Sequence, residues 1–155
     1  AGPRHAGFHP TGWYAYVLNE LDSTLTTYRF DPERGALEPL QTITTLPPAV
    51  AGRNTTSEIA IAPSGRFVYA SNRGHNSVAV FAVEAAGGTL SPVGWEPSQG
   101  KTPRFIGLDP AGAVLHVANQ DSDTIVAFRV DRQSGALTPS GQVVRVGSPS
   151  TIVFR

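Results

Sequence analysis

Apolar and polar residues alternate with a period of two along most of this chain. In the first stretch Tyr14, Tyr16 and Leu18 alternate with Trp13, Ala15 and Val17, the pattern of a strand with side chains on two faces. β-Branched and aromatic residues dominate such runs, and Pro-x-Gly and Arg-Gly turns separate them. The alternation predicts strands over 4–9, 13–19, 24–30 and 37–46, with turns over 10–12, 20–23 and 31–36. No segment carries a helical stripe.

The same sequence of strands and turns occurs three times. Gly12, Gly65 and Gly112 sit in the matching phrases His9-Pro-Thr-Gly12, Ala62-Pro-Ser-Gly65 and Asp109-Pro-Ala-Gly112. Seven residues after each Gly stands an Asn: Asn19, Asn72 and Asn119. Nine residues after each Asn stands an aromatic (Tyr28, Phe81, Phe128), and eighteen after it a Leu (Leu37, Leu90, Leu137). The units are offset by 53 and then 47 residues, and the extra six fall around 46–55, a loop-like insertion. Four strands in 40 to 50 residues, repeated, predict β-propeller blades. We therefore expect an all-β fold of three four-stranded antiparallel blades, over about 2–46, 57–101 and 102–147. The tail 148–155 matches the first strand of a next unit and is expected to act as a closing strand. Three blades do not close a ring, since propellers have about four to eight. The missing blades are expected from upstream chain or from oligomerisation, and the lack of methionine favours a truncated longer chain.

Composition narrows the function. Twelve basic and twelve acidic residues cancel in 155, so no strong field draws in nucleic acid or an anionic membrane, and neither is expected as a partner. No apolar run approaches the ~20 residues of a membrane helix, and no signal-peptide pattern opens the chain. The absence of cysteine removes disulfides, thiolate metal sites and cysteine nucleophiles. His75 and His116 have no partner at ligand spacing, so neither metal nor cofactor is expected. No Gly-x-Ser-x-Gly elbow or phosphate-binding glycine loop occurs.

Antiparallel order brings the start of the first strand and the end of the second to one end of each blade. The loops that open each unit should therefore meet the three Asn-x loops at one mouth of the central channel. That mouth collects Pro3-Arg4-His5, Asn19-Glu20, Thr56-Ser57-Glu58, Asn72-Arg73, Pro103-Arg104 and Asn119-Gln120, and mouths of this kind gather binding sites. The three Asn are expected to cap turns with side-chain-to-backbone bonds. The residue after each Asn differs (Glu20, Arg73, Gln120), so the repeat itself does not demand charge there.

The phrases Gly2-Pro-Arg-His5, Phe8-His-Pro-Thr-Gly12, Asn19-Glu-Leu-Asp-Ser-Thr24, Glu58-Ile59, Pro63-Ser-Gly-Arg-Phe67, Ser71-Asn-Arg-Gly74 and Ala118-Asn-Gln-Asp-Ser-Asp123 together resemble the seven-bladed propeller lactonases. That family includes the bacterial propeller-type 6-phosphogluconolactonases and is related to the fungal carboxy-muconate cyclases. The resemblance covers the whole chain and implies its C-terminal three blades. It implies a cofactor-free cytoplasmic enzyme that hydrolyses a small anionic sugar-acid lactone, 6-phosphogluconolactone first among them. A non-catalytic propeller scaffold and a muconate-type cyclase are the alternatives. By analogy with the cyclase branch, Arg4, Glu20 and Arg73 match site positions, whereas a further site histidine of that branch has no counterpart here.

Lactone hydrolysis needs a base for water, donors for the oxyanion and a cation for the substrate's anionic group. Glu20, His5 and Arg73 are expected to carry the chemistry, with Glu20 or His5 as the base. Arg4, Arg104, Glu58, Asn72 and Gln120 are expected to bind substrate, arginine being suited to oxyanions by its planar fork.

Overall fold

Each unit folds into one antiparallel sheet whose strands lie in chain order. A computed structural model describes residues 1–50 and 52–154. Ala51, in the expected insertion, and Arg155, at the end of the expected closing strand, lie outside the described residues. The first sheet holds β1 (Pro3–Phe8), β2 (Tyr14–Asn19), β3 (Thr24–Asp31) and β4 (Ala36–Thr44). The second holds β5 (Thr55–Ile61), β6 (Phe67–Arg73), β7 (Ser77–Val83) and β8 (Leu90–Pro97). The third holds β9 (Pro103–Leu108), β10 (Val114–Asn119), β11 (Thr124–Val130) and β12 (Leu137–Arg145). A single 3-10 turn at Gln120–Ser122 is the one helical element among the described residues. The first strands of the three units stand side by side, β1 next to β5 and β5 next to β9, so these are the inner strands of neighbouring blades.

The core lies between blades. Tyr16, Leu18 and Leu25 of the first pack against Val68, Ala70, Phe81 and Leu90 of the second. Phe67, Tyr69 and Val80 of the second pack against Ile106, Leu115, Val117 and Phe128 of the third. The period of two explains how β6 serves both layers, with Val68 and Ala70 on one face and Phe67 and Tyr69 on the other. Repeat-equivalent residues differ in burial by position in the array. Leu90 is 2% exposed because the first blade covers it, whereas Leu37, with no preceding unit among the described residues, is 47% exposed.

The hairpin turns repeat down to backbone angles. Ser23, Asn76 and Asp123 all take left-handed φ, at 56°, 55° and 53°. Their carbonyls accept from Thr45, Ser98 and Val146, which ties the end of each outer strand to the hairpin joining the middle strands. The tail departs from expectation. Residues 148–154 carry no strand, because a strand needs a ladder and no further unit among the described residues supplies one. Phe154 nevertheless rests beside Gly107 of β9, as Ile61 of β5 rests beside Gly7 of β1. The tail thus lies where the inner strand of a next blade would lie.

Candidate active site

The inner strands all bulge at the mouth. In β1 the register slips at Arg4, between Pro3↔Asn19 and His5↔Leu18. In β5 it slips between Thr56↔Asn72 and Ile59↔Ala70, and in β9 between Phe105↔Ala118 and Pro103↔Asn119. Arg4, Ser57 and Arg104 occupy the same repeat position, so the bulge belongs to the repeat. A bulge re-aims side chains at the end of a strand, and here it links neighbours. Arg4 Nε donates to the Ser57 carbonyl at 2.8 Å, and Ser57 Oγ donates to the Arg104 carbonyl at 2.6 Å.

Beside this row stands an arginine–carboxylate–arginine cluster. Arg4 Nη1 lies 3.3 Å from Glu20 Oε2, and Arg73 Nη2 donates to Glu20 Oε1. Arg73 Nη2 also donates to the Thr56 carbonyl at 2.8 Å, while Thr56 Oγ1 donates to the Asn19 carbonyl at 2.9 Å. The loops themselves are stitched together: Glu20 N donates to the Gly2 carbonyl and Thr56 N to the Glu20 carbonyl. The hydrogen bond from Arg73 is the main cause holding the Glu20 carboxyl below the usual carboxylate range; partial burial opposes it, and the charges of Arg73 and Arg4 add to it. Arg73 Nε is buried and unpartnered among the described residues.

A second pair crosses the same boundary. His5 Nδ1 donates to Glu58 Oε1 at 2.5 Å. That oxygen also accepts from Ile59 N at 3.1 Å, and Glu58 N donates to Ser71 Oγ at 3.0 Å. The structure thus brings Arg4, His5, Glu20, Glu58 and Arg73 together along the boundary between the first two blades.

The other expected residues stand apart from that group. Asn72 is fully buried and its amide is consumed internally, which is at odds with an expected role in binding substrate. Its Nδ2 donates to the Thr45 carbonyl at 2.8 Å, and its Oδ1 accepts from Thr45 Oγ1 and Asn54 Nδ2. Arg104 meets the cluster through its carbonyl, and its guanidinium has no partner among the described residues. Gln120 opens the 3-10 turn, where its backbone N–H donates to the Thr102 carbonyl. The asparagines also correct the expected turn caps. Asn72 and Asn119 donate to Thr45 and Ser98 at the end of the preceding blade, so they act as clasps between blades. Asn19, with no such neighbour among the described residues, donates to Thr24 and Thr26 of its own hairpin. Sequence reasoning placed Thr56 and Ser57 at the mouth but missed that their carbonyls hold Arg73 and Arg4; main-chain acceptors leave no side-chain signal.

Four-stranded blades packed face to face, with a charged cluster where their inner strands bulge, define a β-propeller with a polar mouth. The family model described as "Lactonase, 7-bladed beta-propeller" matches residues 1–154, and the chain belongs to that family. It is 44% identical over 103 residues to an uncharacterised protein of Lactococcus lactis, a match covering 66% of this chain and 30% of that protein. It is 38% identical over 104 residues to a 6-phosphogluconolactonase of Bacillus subtilis, covering 67% and 30%. The structure of a periplasmic gluconolactonase from Pseudomonas aeruginosa superposes with a TM-score of 0.90 at 35% identity, covering 96% of this chain and 41% of that one. The matched region thus spans about a third of the curated relatives' length.

Proposed function

We propose that this chain is part of a lactone hydrolase acting on an anionic sugar-acid lactone, with 6-phospho-D-glucono-1,5-lactone as the first substrate to test. The observation that carries the reading is the Arg4–Glu20–Arg73 cluster at the mouth. Two guanidiniums share one carboxylate, which leaves N–H donors and residual positive charge for an incoming oxyanion. The same donors can stabilise charge developing on a lactone carbonyl oxygen. Relatives named as lactonases support the reaction type.

The Bacillus relative is named for a phosphorylated lactone and the Pseudomonas neighbour for an unphosphorylated one, so the test compares the two. Hydrolysis of both δ-lactones by the natural protein should be followed by proton release at pH 7. Arg73→Lys keeps the charge but loses the fork, and it should raise KM for the phosphorylated lactone by about tenfold, equivalent to ~1.4 kcal/mol. Failure of the natural protein to accelerate either hydrolysis would remove the reading in favour of a scaffold.

A further inference from the structure

The cluster and the histidine pair hold their carboxylates differently. Glu20 has both carboxylate oxygens engaged, Oε2 by Arg4 and Oε1 by Arg73. A carboxylate held this way is a poor proton acceptor, because taking a proton would break charge-assisted bonds. His5 is placed differently. Its Nδ1 is fixed by Glu58 across the blade boundary, its Nε2 has no partner among the described residues, and its side chain is 41% exposed. Glu58 is 14% exposed and is itself anchored by Ile59 N and Ser71 Oγ. The repeat does not require this pair, since the equivalent position in the third unit is Phe105.

Resting on the hydrolase reading above, we propose that His5 is the base that activates water and that Glu58 is its positioning residue. Glu58, expected from sequence to touch substrate, instead accepts the Nδ1 proton, which leaves the Nε2 lone pair free. A carboxylate behind an imidazole sets its tautomer and stabilises the imidazolium that forms. In the step, Nε2 takes a proton from water and the water oxygen bonds to the lactone carbonyl carbon. The carbonyl π pair moves onto its oxygen, where the arginines would supply the donors. Collapse restores the carbonyl and breaks the ring C–O bond. The departing alkoxide takes the proton back from Nε2, and the new carboxylic acid loses its own proton to solvent.

The test uses the natural protein and its better δ-lactone substrate. His5→Gln should lower kcat by about 10²–10³-fold with KM changed less than about threefold. Glu58→Ala should lower kcat by about 10–100-fold, less than His5→Gln because the imidazole base remains. Glu58→Gln keeps an acceptor for Nδ1 and should recover part of that loss, which separates positioning from misfolding. Glu20→Gln should act mainly on KM. Imidazole ¹⁵N resonances should place the His5 proton on Nδ1 in the wild type and redistribute it in Glu58→Ala. A wild type that turns over while Glu58→Ala leaves kcat and the His5 tautomer unchanged overturns this assignment alone. A Glu20→Gln variant with intact KM and abolished kcat also overturns it. A wild type inert on lactones removes the hydrolase reading and this proposal together.

Discussion

Asn72 and Asn19 occupy the same place in the repeat and are held differently. Asn72 is fully buried and bridges two blades through Thr45 and Asn54. Truncating it strands buried polar groups, so Asn72→Ala should cost about 2–3 kcal/mol in denaturant unfolding, against about 1 kcal/mol for Asn19→Ala. His116 is the counterpart of Tyr16 and Tyr69. Those hydroxyls donate to Gly88 and Gly135 in the next blade, and burial, chiefly, pushes both phenols up to about 12. His116 Nδ1 is buried without a partner among the described residues, and its ring centroid lies 5.3 Å from that of Phe154. Glu20 gives a pH signature. Its carboxyl is held below the ordinary range, chiefly by the Arg73 hydrogen bond, so its contribution to stability is present above that range and lost as pH falls through the lowered value. Thermal midpoints of wild type and Glu20→Gln should therefore differ at neutral pH and converge under acid conditions.

At the scale of the strand, three devices repeat: a bulge in the inner strand, a left-handed residue in the middle hairpin and a glycine in the outer turn. At Gly88 the outer-turn glycine also meets a close approach. Gly88 has φ of 69°, and a Cβ there would lie 2.4 Å from the Tyr14 ring of the preceding blade. Gly88→Ala should cost about 1–2 kcal/mol for the left-handed backbone alone, with the clash in addition, measurable as a lowered urea midpoint. The strands themselves were legible in the alternation: expected strands over 13–19 and 24–30 became Tyr14–Asn19 and Thr24–Asp31. The asparagine clasps were not. The bond from Asn72 to Thr45 spans 27 residues and that from Asn119 to Ser98 spans 21. A periodicity reports which face a residue is on, and it carries no information about a partner in another sheet.

At the scale of the molecule, the first blade carries exposed apolar side chains among the described residues. Phe8 and Trp13 are 56% and 58% exposed at the first blade, with Phe8 edge-on to Phe30. Contiguous apolar surface of this kind drives association. The isolated 155-residue chain should self-associate with concentration in sedimentation velocity, and Trp13→Lys should weaken that association.

The alternation, the three-fold register and the turn residues were enough to specify blades, because strand pleat and turn chemistry act within a few residues. They also marked Glu20, Arg73 and Gln120 as the places where the units diverge, whereas Arg4, echoed by Arg104, stood out only through the family resemblance. Pairing was decided by packing. Arg73 reaches Glu20 and His5 reaches Glu58 across 53 residues in each case, because the offset between the first two units sets equivalent positions side by side. That geometry, absent from any local pattern, is what separates a carboxylate bound between two arginines from a histidine with a free nitrogen.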